Sequence, residues 1–215
     1  AANFANYGGG ALELAVDPTA TTTVDTIINC TFFLNIAQNE DGGAIDINTP
    51  GSTGSQSVTI ANSTFFVNQA SIGNAGAIYF NNSGATVTID RSLFAVNQAG
   101  GGKGGAIDNT AGAVVVTGSE FIANQATNDA GAINEGSGQT MTITGSSFLS
   151  NQAGDDGGAF DSNDSGSISS ITNSTFNGNR ATKGSGHNGG AIAIEDGSVK
   201  LAASTIDRNS AGDLD

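Results

Sequence analysis

The sequence predicts an all-β fold, a parallel β-helix of about seven coils with three short strands in each. Three observations carry this. A Phe, an Asn three residues on and an Ala two after that recur from end to end, each time followed by Gly-Ala-apolar; Phe65, Asn68, Ala70 and Gly76-Ala77-Ile78 form one copy. A segment of alternating apolar and polar residues precedes each Phe, the pattern of a strand with one buried face. Glycine supplies 32 of 215 residues, and no window holds a 3.6-residue period, so a helical reading fails.

The copies align in columns. The Phe column is Phe32, Phe65, Phe94, Phe121, Phe148, Phe176 and Ile206, and the Asn column is Asn35, Asn68, Asn97, Asn124, Asn151, Asn179 and Asn209. Successive Asn residues are 33, 29, 27, 27, 28 and 30 positions apart. A repeat of this size marks a solenoid, in which each unit buries its apolar face only against its neighbours. Stacked at about 4.8 Å, seven coils make a rod of roughly 34 Å.

Each column then has a physical reason. The strand before Phe carries Ile27, Ile60, Ile89, Val116, Ile143, Ile171 and Leu201, with Val58, Val87, Val114, Met141 and Val199 two residues further back. Val24 and Ile168 lie three back, which predicts a bulge in those coils. Stacked Phe and Ile fill the narrow interior. Asn is expected at a bend, where it tolerates left-handed φ and its amide bonds the Asn above and below. Ala is small enough for the tight bend, and the glycine before Gly-Ala-Ile supplies positive φ or close approach between coils.

Residues 1–215 read as a single elongated domain. Longer loops are expected around Asp17-Pro18, over residues 48–55 and over residues 182–188. Ala1-Ala2 reads as the mature end left by signal peptidase or as the edge of an expressed segment. The first repeat opens part-way through, and the chain stops where the next Gly-Gly-Ala-Ile is due. Open solenoid ends present unpaired strand edges, so head-to-tail stacking into a homopolymer is expected through Phe4, Leu12, Leu14, Leu201, Ile206 and Asn209.

The net charge of −14, with six Lys and Arg, excludes a phosphate-neutralising nucleic-acid surface. No apolar run is long enough to insert in a membrane as a helix. Cations are the natural small partners. No cofactor is expected as a requirement; Ca²⁺ is the one the loops could take, with Asp41, Asp129, Asp155 and Asp156 in corresponding loops as its ligands. His187 stands alone, and the single Cys30 falls in a column of serines: Ser63, Ser92, Ser119, Ser146, Ser174 and Ser204.

No catalytic set is assigned. The residues after Gly-Ala-apolar, namely Glu13, Asp46, Tyr79, Asp108, Asn134, Asp161 and Ala193, read as a solvated outward face without a compact triad. Phe33, Phe66, Ile122 and Leu149 directly follow the buried Phe column. Alternation turns them outward into an apolar stripe, the expected partner surface. The Thr ladder formed by Thr59, Thr88 and Thr142 has an ice-binding look, but Val115 and Lys200 interrupt it.

Gly42-Gly-Ala-Ile45, Gly104-Gly-Ala-Ile107 and Gly189-Gly-Ala-Ile192, combined with Phe65-x-x-Asn68 and its copies, resemble the repeats of the polymorphic outer membrane proteins of chlamydiae. The likeness extends over nearly the whole chain. It implies a right-handed β-helix, surface exposure and often adhesion, although this chain has no C-terminal β-barrel segment. The expected function is therefore a secreted, non-enzymatic structural or adhesive protein at the cell surface, partnered by itself or by surface glycans. The alternative is a carbohydrate-binding or pectate-lyase-like polysaccharide-degrading β-helix.

Overall fold

The computed structural model describes residues 3–15, 22–48, 55–136, 138–162, 166–182 and 188–212. Ala1-Ala2, Asp17-Pro18, His187 and most of the two longer loops expected at 48–55 and 182–188 lie outside the described residues. Among those residues every regular element is a strand. The strands form three sheets of 7, 8 and 12 strands. The paired strands run parallel. The chain is a parallel β-helix.

The seven-stranded sheet carries the Phe column, from Thr31–Phe33 to Thr205–Asp207. Its seven layers are six turns apart, about 29 Å at the usual strand spacing. The eight-stranded sheet carries the Ala column. The broad sheet holds both the Gly-Ala-Ile strand and the alternating strand before Phe. These fuse into single long strands at Ile78–Asp90 and Ile107–Thr117.

Register is set by identical side chains lying over one another. Phe65 pairs with Phe94, Phe94 with Phe121, and Phe121 with Phe148. Along Phe32, Phe65, Phe94, Phe121, Phe148 and Phe176 the rings are parallel within 6°, with centroids 4.5–4.9 Å apart. The strand step dictates that spacing. All but Phe32 are fully buried, each contributing about 2 kcal/mol of apolar burial. The Ile60, Ile89, Val116, Ile143 and Ile171 column closes the other side of the core.

Polar ladders hold the corners. Each Asn donates its side-chain amide to the Oδ1 of the next Asn, from Asn35 to Asn209, at 2.7–3.0 Å. Left-handed φ falls on the residue before the Asn, including Leu34, Val67, Val96 and Ala123, not on the Asn as the sequence suggests. The Asn itself turns inward, so its neighbour makes the bend. A second ladder uses the serines: Ser92 Oγ accepts from the Ser63 N–H at 3.1 Å and donates to the Asp90 carbonyl at 3.0 Å. Cys30 fills the first position of that ladder as a small turn residue.

The expected bulges at Val24 and Ile168 are absent. Residues 22–28 pair with 55–61 without a shift, and 168–172 pair with 140–144 likewise. Asp25 and Ser169 take the inward positions instead, and Val24 and Ile168 are exposed. Partners in the interior absorb these polar groups. Gln56 Nε2 donates to Asp25 at 2.9 Å, and the Ser169 hydroxyl donates to Glu135. The inward column of Ile47 and Phe80 thus becomes Asn109, Glu135 and Ser162, all fully buried.

Candidate functional site

The outward residue after each Gly-Ala-Ile is where structure and sequence part most sharply. Asp46, Tyr79, Asp108, Asn134 and Asp161 do point away from the coil interior, yet all are buried. Ala193 is buried too, and of the expected solvated face only Glu13 is exposed. The turn before each strand folds back over it. A Cβ on Gly104, at φ +66°, would lie 2.2 Å from the Ile107 carbonyl oxygen and 2.9 Å from the Asp108 nitrogen. Gly42 and Gly157 approach as closely over Asp46 and Asp161, while Ala75 and Ala130, also in left-handed φ, take the same place over Tyr79 and Asn134.

The turns form their own ladder, running Asp41, Asn74, Lys103, Asp129, Asp156. Asp41 accepts from the Asn74 N–H at 2.5 Å, Asn74 from the Lys103 N–H at 2.8 Å and Asp129 from the Asp156 N–H at 3.4 Å. Roof and floor together make a groove along the rod whose side chains are mostly acids and amides.

At mid-rod the groove opens into a cleft of about 380 Å³, lined by Asn74, Gly101, Gly102, Lys103, Asp108, Thr110, Asn128, Asn134 and Gly136. Asn134 Nδ2 donates to Asp108 Oδ1 at 2.6 Å, and Lys103 pairs with Asp129 at 3.0 Å. The Asn134 Oδ1 is buried without a partner. Thr110 donates to the Phe80 carbonyl at 3.2 Å beside the Tyr79 hydroxyl.

On either side the groove is acidic. Burial, reinforced by Asp41, Glu13 and Glu40, pushes the Asp46 carboxyl up to about 7. Burial also pushes Asp161 up to about 8; Asp129, Asp156 and Glu195 add to this and Lys103 opposes it. Asp156 rises to about 6, through burial, then Asp155, Asp129 and Glu195, with which it shares a hydrogen bond. Asp46, Asp108 and Asp161 stand two layers apart in turn, about 10 Å at strand spacing.

The four carboxylates read from the sequence as calcium ligands are therefore divided. Asp129, Asp155 and Asp156 lie in adjacent turns, and Asp41 sits three layers away. Among the described residues no three His, Cys, Asp or Glu side chains already converge as a metal cage. Sequence reasoning missed Asp161, Asp46 and Glu195 as members of the acidic groove. The signal was there: a Gly-Gly turn directly before the strand.

The apolar stripe is real at one end and weaker at the other. Phe33 and Phe66 are 47% and 39% exposed, and their rings stack at 5.7 Å. Val96, 47% exposed and in left-handed φ, lies in the next layer one place beyond Ala95, which continues the column. Ile122 and Leu149 are half-buried, and Ala95 is buried. Asn177 and Asp207 continue the column in polar form.

The residues expected at the ends lie in the terminal layers. Leu12 and Leu14 pack partly on the core, while Leu201 and Ile206 leave the last inward columns exposed. Asn209 closes the ladder, accepting from Asn179 and donating to the Phe176 carbonyl. Phe4 faces outward instead, in the column of Ile36 and Gln69. Asn3–Ala5 and Ser210–Ala211 both belong to the eight-stranded sheet.

No family model, curated protein or solved structure matches this chain.

Proposed function

We propose that this β-helix is an extracellular structural or adhesive protein whose contact surface is the stacked pair Phe33 and Phe66 together with Val96 in the next layer. The observation that supports this is the stacked, exposed pair Phe33 and Phe66, accompanied by Val96 in a left-handed conformation. A β-branched residue at positive φ is strained, and an exposed apolar run on a rod is a recognition surface more often than chance. The stacked Phe rings and the Asn and Ser ladders hold the rod.

The test is adhesion. Beads coated with the chain are retained on at least one of a panel of immobilised glycans and polypeptides, and Phe33→Ser/Phe66→Ser beads are not, with strand circular dichroism unchanged. Retention at the level of bare beads on every surface contradicts the reading.

A second reading is favoured by the cleft at Asp108. Its glycine floor, its amides and the unpartnered Asn134 Oδ1 suit a hydroxyl-rich carbohydrate. In that case binding, or cleavage of a polysaccharide, is lost in Asp108→Ala and retained in Phe33→Ser/Phe66→Ser.

A further inference from the structure

Among the described residues Asp161 is a fully buried carboxyl with neither oxygen hydrogen-bonded. Its strand neighbours Phe160 and Ser162 point into the coil, so Asp161 points out, beneath the turn that carries Asp155 and Asp156. A Cβ on Gly157 would lie 2.8 Å from the Asp161 Cβ, which shows how closely that turn covers it. Asp155 Oδ1 is likewise buried without a partner. Asp129 stands in the turn one layer before and Glu195 in the layer after. Lys103, bonded to Asp129, is the cation among the described groups that acts on Asp161.

An isolated buried carboxylate is costly unless it is protonated, paired or bound to a metal. Among the described residues five acids, Asp129, Asp155, Asp156, Asp161 and Glu195, gather near one lysine, Lys103. The ligand chemistry that meets this is a hard cation with oxygen ligands.

We infer that the space between Asp161 and the carboxylates of Asp129 and Asp156 is a binding site for a divalent cation, with water completing the shell and calcium preferred over magnesium. The origin of the ligands argues for calcium: the carboxylates come from two turns and a strand, and calcium accepts six to eight oxygens in irregular geometry, whereas magnesium demands near-octahedral order. Because three side chains do not already converge, affinity is expected in the range of extracellular calcium modules, about 10⁻⁴–10⁻³ M. This site is independent of the apolar stripe and stands or falls separately from it.

The experiment uses the chain freed of metal with chelator at pH 7.5, titrated with CaCl2 and, in parallel, MgCl2, by isothermal calorimetry and thermal unfolding. The expected result is one saturable calcium site, a raised Tm with calcium, and at least tenfold weaker binding of magnesium. Asp161→Asn, which keeps the shape and removes the charge, is expected to abolish the calcium-dependent shift while unfolding no earlier than the parent in chelator. Asp129→Asn, in a less buried position, is expected to weaken calcium at least tenfold. No saturable binding by the parent up to 10 mM (about ten times the weakest expected Kd) would overturn the proposal. So would unchanged calcium binding in folded Asp161→Asn or, should that variant not fold, in Asp129→Asn.

Discussion

Asn97 donates both its backbone N–H and its side-chain amide to one atom, the Oδ1 of Asn124, at 3.0 and 2.9 Å. Asn124 passes the arrangement on to Asn151 and also donates to the Phe94 carbonyl at 2.9 Å. Every member between Asn35 and Asn179 is buried. Removing one therefore strands donors above it and acceptors below it, each carrying a desolvation penalty of about 1–3 kcal/mol.

Asn124→Ala is accordingly expected to destabilise the chain by about 3 kcal/mol or more, read from urea unfolding. Asn124→Asp is expected to be worse at neutral pH, because it replaces a donor with a buried charge facing the Asn151 and Phe94 oxygens. A loss below about 0.5 kcal/mol for Asn124→Ala, the range of ordinary surface changes, would show that the ladder is ornamental.

Gly105 and Gly145 separate collision from conformational strain. A Cβ on Gly105 would lie 2.1 Å from the Gly131 carbonyl oxygen and 2.6 Å from the Gln125 nitrogen, both in the next coil. Gly145 has φ +61° and open space around it. Gly105→Ala is expected to cost about 3 kcal/mol, as an overpacked backbone contact, and Gly145→Ala about 1 kcal/mol, the left-handed strain alone. Equal losses in thermal unfolding would contradict the close approach of coils at Gly105.

Asp46 sets a pH dependence away from the proposed cation site. Burial first, then Asp41, Glu13 and Glu40, holds its carboxyl at about 7 in place of 3.8. Below the ordinary carboxylate range it is protonated in both folded and unfolded chains and costs nothing. As pH rises from about 4 to 7 the unfolded chain has released the proton and the folded one has kept it, so stability falls. Asp46→Asn is expected to unfold with the parent at pH 3 and above it at pH 8, by about 3 °C or more in Tm, measured in chelator. A variant that loses stability at pH 8 would show that the Asp46 charge is compensated in the folded chain.

The interior polar pair gives a companion result. Glu135 is fully buried, its carboxyl raised by burial and partly relieved by Ser169 and Ser162. Glu135→Gln keeps the hydrogen-bonding shape without the charge. It is expected to be neutral or stabilising at pH 7, and Ser169→Ala destabilising by about 1–2 kcal/mol through the partner it leaves exposed to apolar surroundings. Urea unfolding of the two variants checks the order.

How much of this was legible follows from which forces act locally. Phe65, Asn68, Ser63 and Gly76 each repeat at one offset, and repetition alone places them in stacked columns. The inward path of Asp25 and Ser169 was not legible, because an alternating pattern with a polar inward residue reads as a bulge when its partners, Gln56 and Glu135, lie a coil away. The burial of Asp46 and Asp161 was also hidden. Alternation correctly points them outward, but only the tertiary fold-back of the Gly42 and Gly157 turns covers them. The outward stripe was read correctly at Phe33 and Phe66, while Val96 escaped because it follows the Phe column by two places and turns out only through its left-handed φ.

The most direct test of the functional reading is a single adhesion comparison of the parent chain with Phe33→Ser/Phe66→Ser and Asp108→Ala, all verified as folded, on the same panel of immobilised glycans and polypeptides. The double serine variant is expected to lose retention and Asp108→Ala to keep it. Retention that survives in the double variant and disappears in Asp108→Ala would contradict it and move the contact surface to the cleft.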